Sequence, residues 1–208
     1  MKNATYEAKK AAVINEIIAA FDGVSREDGV TLHEATVVDD YGGPEERAKA
    51  RAKDTEERWQ DVPQEDIRAS DAELNFLDPK GFHYYIPAYM VWYLKNRDNE
   101  DPDFWSNAFD SIEFALEARG TGKISKHDLS RFKLFSLEQS KANAHFLQFL
   151  VERTDWEMMK EEQSIRDEIS KGETSEAEGQ ARLESRKRML EIYDTPKQAL
   201  ERYWGRFL

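Results

Sequence analysis

The sequence has no cysteine, only six prolines and no long run of apolar residues. Without cysteine, the chain cannot form disulfides or bind zinc or iron–sulfur clusters through thiolates. Its longest apolar stretch, residues 84–94, contains Pro87 and falls far short of the roughly 20 residues of a membrane-spanning helix. The first residues lead into a charged amphipathic stretch that lacks the apolar centre of a signal peptide. These absences predict a cytoplasmic protein that contacts no membrane.

The residues that are present predict a mainly α fold in a single helical domain. Apolar residues make up 39 % of the 208 residues, enough for a sizeable core, and most of them recur at helical spacing. We expect an aromatic-cored helical domain over residues 1–153. Residues 154–208 are predicted to form a charged helical hairpin and a C-terminal helix that packs on this domain. At most one short strand pair is expected.

Local signals predict where individual elements begin and end. Residues 30–38 are rich in β-branched side chains and partly alternate, which favours a short strand. Proline at a first helical position predicts one helix over about 44–58 and another from Pro87 to about residue 97. Capping-box patterns predict further helix starts at 136–139 and 154–157, and glycine predicts helix ends at Gly120 and Gly172. A final helix is expected from Thr195.

Negative charge is concentrated in one part of the chain. Residues 22–78 contain 17 acidic and 7 basic residues, and this excess accounts for most of the formal net charge of −12. Such a segment repels nucleic acids and attracts basic proteins, although acidity also serves solubility alone. We expect the contact rim for a basic protein partner at five residues: Asp39, Asp40, Tyr41, Glu45 and Glu46.

No pattern predicts a cofactor, a metal or a set of catalytic residues. Residues 117–128 imitate a calcium loop, but Arg119 stands where an oxygen ligand is required, so a helix–turn–helix connection is expected instead. The four histidines are far apart in the sequence. His33 and Glu34 with Asp39 and Asp40 offer the nearest approach to a metal cluster, and acidic turn residues of this kind are usually solvated.

Aromatic residues are crowded between residues 76 and 109, which hold ten of the 24 in the chain. Aromatic side chains dominate core burial, so the first interpretation is a structural core. Four of the ten are tyrosines, whose hydroxyl groups need partners. This composition also suits a partly wet, protein-binding surface, on which tyrosine and tryptophan are favoured anchors.

Several short motifs resemble those of an uncharacterised bacterial domain family. They are W-x-x-[IV]-P at 59–63, the phenylalanine-leucine turn at 75–82, Y-x-P-A-Y at 85–89 and F-x-x-[LF]-[ST]-x-x-Q at 132–139. The resemblance covers roughly residues 10–153 and leaves the charged C-terminal helices outside. It implies no catalytic residues, cofactor or activity, and its matching residues are of the kind that maintain a fold.

The leading hypothesis is a non-enzymatic, acidic protein-binding module. It would act as an immunity-type or antitoxin-type inhibitor that covers a basic bacterial partner, such as a toxin, with the segment 22–78. One alternative is an enzyme with a site in residues 76–109 that uses His83 with Asp or Glu partners. Another is a nucleic-acid mimic with carboxylates at phosphate-like spacing. A deep polar cleft would favour the enzyme, and a flat acidic face the inhibitor.

Overall fold

The computed structural model describes residues 4–70, 73–99, 101, 104–120 and 124–208, and only the backbone of 191–193. These residues form helices and turns and include no β-strand, which confirms the mainly α fold. The α-helices are α1 (Ala4–Ala20), α2 (Leu32–Asp39), α3 (Pro44–Arg51), α4 (Gln64–Ala69), α5 (Glu73–Phe76), α6 (Pro79–Asn96), α7 (Ala108–Ala115), α8 (Lys126–Phe132), α9 (Leu137–Ser170), α10 (Glu176–Tyr193) and α11 (Thr195–Arg202). Short 3-10 helices lie at Trp59–Asp61 and Trp204–Phe207. None of the described helices is both long enough and apolar enough to cross a membrane.

Helix α6 forms the centre of the molecule. From Phe82 to Leu94 every residue except His83 is buried, so the helix is covered on all sides by neighbouring elements. A helix that is apolar all round is typical of a core position. The elements that cover it are α1, α4, α5, α7, α8 and the 3-10 helix Trp59–Asp61. The dense aromatic segment of the sequence is therefore mainly the core of the fold.

The strand predicted over residues 30–38 is wrong, because this stretch forms α2. The Thr31 side chain accepts a hydrogen bond from the Glu34 backbone N–H, and the Glu34 carboxylate accepts one from the Thr31 backbone N–H. This capping box satisfies two backbone donors that a helix start otherwise leaves unpaired. Short-range capping thus outweighs the β preference of Thr36, Val37 and Val38.

Helix α6 begins eight residues before Pro87, so the predicted start at Pro87 is also wrong. The Asp78 carboxylate accepts a hydrogen bond of 2.9 Å from the Gly81 backbone N–H, and Pro79 occupies the first helical turn. Gly81 lies against the loop before α2, where an added Cβ would come within 2.2 Å of the Val30 carbonyl oxygen. This contact, possible only for glycine, fixes the start of α6 next to α2.

The charged hairpin is formed by the second half of α9 together with α10. Its predicted turn at Gly172 is confirmed, with φ of +74°, and so is the start of α9 at the Ser136 capping box. The second capping box, at 154–157, is wrong: α9 continues through it, and the Thr154 hydroxyl donates to the Leu150 carbonyl. The division predicted at residue 153 therefore falls inside a continuous helix.

Two predicted helix ends lie beyond the observed ones, and one predicted helix start is confirmed. Helix α3 ends at Arg51, seven residues before the predicted end, and α7 ends at Ala115, before Gly120. The final helix begins at Thr195, as predicted. Residues 121–123 of the loop that imitates a calcium site lie outside the described residues; α8 follows this loop.

Candidate functional site

The turn between α2 and α3 brings all five predicted rim residues together. Asp40 caps the end of α2, and Tyr41 follows in the left-handed region, with φ of +59°. The Gly42 N–H donates to the Val37 carbonyl (2.8 Å) and the Tyr41 N–H to the Val38 carbonyl (3.2 Å). These two bonds form a Schellman motif, which closes the helix end and fixes the backbone of the turn.

Tyr41 is held on this turn with its side chain in solvent. The residue is 96 % exposed, and its ring packs against no other described aromatic side chain. Gly42 packs closely on Val37, because an added Cβ at Gly42 would lie 2.4 Å from Val37 Cγ1. A non-glycine residue with positive φ is uncommon. Because tyrosine is enriched among the residues that dominate binding interfaces, Tyr41 is a candidate contact position.

Unpaired carboxylates surround Tyr41. Asp39, Asp40 and Glu45 are exposed, and their side chains make no hydrogen bond or ion pair with any other described residue. Glu46 is exposed as well, but its carboxylate accepts a hydrogen bond of 2.8 Å from the Gly43 backbone N–H and so caps α3. We call these five residues, Asp39, Asp40, Tyr41, Glu45 and Glu46, the acidic turn.

Much of the remaining charge in residues 22–78 is neutralised internally. Glu34 binds both Arg47 and Arg51, at 2.8 and 2.9 Å. Burial alone would raise the pKa of Glu34, but hydrogen bonds from the two arginines lower it below its ordinary value. Similar pairs join Glu56 to Arg26 at 2.6 Å and Asp61 to Arg58 at 2.8 Å. The acidic turn therefore stands out as a cluster of unpaired carboxylates among the described residues, which the count of acidic residues in the sequence does not show.

The predicted approach to a metal cluster does not assemble. His33 Nδ1 lies 2.7 Å from Asp54 Oδ1, not beside Asp39 or Asp40, and Glu34 is occupied by its arginines. In the part of the chain that the structure describes, no three His, Asp or Glu side chains come together as metal ligands.

The tyrosines of α6 form internal hydrogen bonds instead of a wet binding surface. The Tyr85 hydroxyl donates to Glu56 (2.7 Å), that of Tyr89 to Ser70 (2.6 Å) and that of Tyr93 to Glu113 (2.8 Å). The interpretation of this segment as a protein-binding surface is wrong for these residues, since all are buried. Burial raises the pKa of each of these hydroxyl groups well above its ordinary value.

His83 does not form the acid-paired centre expected for the enzyme alternative. Its Nε2 lies 2.9 Å from the Gln139 side-chain oxygen, and its ring packs edge-on against Phe135. No Asp or Glu side chain pairs with it among the described residues. An enzyme site in residues 76–109 would therefore need other residues.

A polar cavity that the sequence did not predict lies between α6, α7, α9, α10 and the start of α11. Its volume is about 290 Å³, and its lining includes Tyr93, Arg97, Glu113 and Arg153. Burial raises the pKa of Glu113 from 4.5 to about 7, because the Tyr93 hydrogen bond and the charges of Arg97 and Arg153 offset only part of the desolvation. Glu113 therefore exchanges a proton near neutral pH.

Two of the arginines that line this cavity, Arg97 and Arg153, differ in their partners. Arg153 is buried and binds Asp98 (3.3 Å) and Glu157 (2.5 Å). Arg97 lies over the rings of Trp105 and Phe109, with its guanidinium carbon 5.2 and 5.1 Å from their centres. It makes no ion pair with any described carboxylate. No sequence motif connects these groups, because three helices, α6, α7 and α9, bring them together from positions up to 60 residues apart.

The chain belongs to a family of unknown function, DUF6714, whose model matches residues 9–206. The match extends the expected resemblance beyond residue 153 and includes α10 and α11, so the charged C-terminal helices are part of the family's domain. No curated protein and no solved structure shows a significant match.

Proposed function

We propose that the protein is a non-enzymatic module that binds a basic protein through the acidic turn. The specific form of the proposal is an immunity-type or antitoxin-type inhibitor of a basic bacterial partner, such as a toxin. The observation that carries it is the almost completely exposed side chain of Tyr41, fixed by a Schellman motif beside three unpaired carboxylates. Exposed tyrosines are among the residues that most often dominate binding energy.

The rim charges and the aromatic residue have separate roles in this proposal. Asp39, Asp40 and Glu45 attract a basic surface over a distance and so raise the association rate. Tyr41 would enter a pocket on the partner and lose its contact with water, which slows dissociation. Because two hydrogen bonds already hold the backbone of the turn, little backbone entropy would be lost on binding.

The two alternatives have weaker support. A nucleic-acid mimic needs an extended array of free carboxylates, whereas Glu34, Glu56 and Asp61 are paired with arginines. The enzyme alternative lacks its expected acid partner for His83. Its remaining support is the polar cavity beside Tyr93 and Arg97, which has room for a small molecule.

The test begins with capture of partners from a lysate of the source cell at low and high salt. Mass spectrometry then identifies a basic protein that is released only at high salt. With this partner purified, we expect Tyr41→Ala to weaken binding by about 30-fold or more, mainly through faster dissociation. Asp39→Asn with Asp40→Asn should slow association and reduce its dependence on salt.

The matched control is Glu173→Gln with Glu176→Gln, which removes the same charge from exposed positions at the far end of the hairpin. This control should bind like the wild type. The proposal fails if the variant Asp39→Asn, Asp40→Asn, Glu45→Gln still binds and inhibits the partner normally. Competition between DNA and this protein for the same basic surface, with carboxylates outside the acidic turn required, would support the mimic instead.

A further inference from the structure

Arg97 and Glu113 line the polar cavity between α6, α7, α9, α10 and the start of α11, and neither has an ion-pair partner among the described residues. Arg97 rests on Trp105 and Phe109, which fixes the guanidinium plane and leaves its N–H groups without a carboxylate among the described residues. Glu113 receives a hydrogen bond of 2.8 Å from Tyr93 and forms no ion pair in the same part of the chain. Both residues are only partly exposed to solvent, and charges withdrawn from water are normally paired, so these two need an explanation.

The other charged groups around the cavity are already engaged or lie at its rim. Arg153 is bound by Asp98 and Glu157, and Arg186 lies 3.8 Å from Glu161. Asp194 caps α11 by accepting a hydrogen bond from the Lys197 backbone N–H. Asp110 is exposed on the first turn of α7. Among the described residues, a ligand that enters the cavity past Asp110 therefore meets the free guanidinium of Arg97 and the carboxyl group of Glu113.

We propose that this cavity binds a small zwitterion of the α-amino acid class. The ligand carboxylate would bind the N–H groups of Arg97, a planar donor that suits carboxylates well. The ligand ammonium group would bind Glu113, with the Tyr93 hydroxyl holding that carboxyl group in place. A volume of about 290 Å³ accommodates a molecule of this size, at the lower end of the usual range for ligand sites.

A zwitterion fits better than a simple anion or a simple cation. An anion such as phosphate would bind Arg97 but would also face Glu113, Glu157 and Asp110. A cation would find Glu113 but would face Arg97 and Arg153. A ligand that carries both a positive and a negative charge is the best complement to a cavity lined by groups of both charges.

Proton release provides a readout that a merely structural role of Glu113 would not give. The free protein holds a proton on Glu113 for part of the time near neutral pH. A ligand ammonium group favours the charged carboxylate, so binding should release this proton. The affinity should therefore increase as the pH rises through about 7, the pKa of Glu113, while the ligand amine stays protonated.

The experiment is calorimetric titration of the whole protein with the twenty standard L-amino acids at pH 6.5. We expect at least one to bind with release of up to one proton, seen as a difference in apparent enthalpy between two buffers of unlike ionisation enthalpy. The matching carboxylic acid without the amino group should bind about tenfold more weakly, the loss typical of one charge-assisted hydrogen bond, and should release no proton.

Two variants and one control make the result specific. Arg97→Gln should weaken binding about tenfold or more, and Glu113→Gln should weaken it and abolish proton release while keeping the Tyr93 hydrogen bond. Arg188→Gln removes an exposed charge from α10 outside the cavity lining and should bind like the wild type. Circular dichroism confirms that each variant is folded.

The proposal is overturned if no amino acid binds at about 10 mM, an affinity weaker than most specific sites show. Undiminished binding in both folded variants, or binding of phosphate in preference to amino acids, would also overturn it.

Discussion

At the scale of single residues, Glu113 makes the stability of the protein depend on pH. Its pKa is about 7 in the folded protein and 4.5 as an ordinary glutamate, so the folded state holds more protons between these values. Stability should therefore fall as the pH rises from 4.5 to 7, with a contribution of at most about 1.4 kcal/mol per pH unit from this group. Glu113→Gln should remove this contribution, as measured by urea unfolding at several pH values.

The control for this prediction is Glu173→Gln, which removes an exposed carboxylate from the hairpin turn. Its unfolding free energy should follow that of the wild type across the same pH range. Wild-type and Glu113→Gln curves that run parallel from pH 4.5 to 7 would show that Glu113 titrates as an ordinary glutamate in the folded protein.

Local sequence patterns indicate the acidic turn as a candidate contact site but give no sign of the cavity. Asp39, Asp40 and Tyr41 stood out because charge and turn residues coincide along the chain, and such local patterns survive folding. Glu113 and Arg97 carry no local signal. What distinguishes them is partial burial and the lack of an ion-pair partner in the described part of the chain, and both depend on how distant helices pack. Residues 22–78 likewise gave no sign of which carboxylates would pair with arginines.

At the scale of elements, helix caps explain both the successful and the wrong boundaries. The Ser136 box was predicted correctly because Ser136 and Gln139 are each other's partners within one turn. The equally good pattern at 154–157 fails because α9 is already helical there and the Thr154 hydroxyl bonds back to Leu150. A capping pattern thus predicts a helix start only where the preceding chain is not helical. For residues 30–38, the capping box at Thr31 stabilises the start of a helix where a strand was predicted.

Substitution by alanine is expected to have different effects at Ser136 and Thr154. Ser136→Ala removes the acceptor for the Gln139 N–H and should lower the unfolding free energy by about 1 kcal/mol. Thr154→Ala removes a hydroxyl that only duplicates a backbone contact inside α9, and alanine favours helix, so stability should stay within about 0.5 kcal/mol of the wild type. Chemical denaturation of both variants measures the difference. An equal loss in both would mean that Thr154 also acts as a cap.

At the scale of the whole molecule, stability should be unevenly distributed. Helix α6 is buried along most of its length, whereas beyond Arg153 the only buried residue of α9 is Ile165, packed closely against Gly179 of α10. Regions with few buried apolar contacts open more easily. Amide hydrogen exchange should therefore be slowest in α6 and faster by at least about tenfold in the part of the hairpin around residues 160–185.

The comparison within α9 is an internal control for this prediction. Residues 139–150 of this helix pack into the core, and the helix is continuous into the hairpin. The rate of amide exchange should therefore rise along α9, from the core part at residues 139–150 to the part in the hairpin. Uniform protection from one end of α9 to the other would show that the hairpin is held as firmly as the core.

The exposure of Tyr41 also has a practical consequence. Five other tyrosines, Tyr6, Tyr84, Tyr85, Tyr89 and Tyr93, are buried, and burial raises the pKa of each phenol. Reagents that nitrate phenols from solution reach Tyr41 far more readily than these five. The nitrated ring absorbs visible light in a way that depends on its ionisation and surroundings. A chromophore can thus be placed on the acidic turn without changing the sequence, and its colour would report the arrival of a partner.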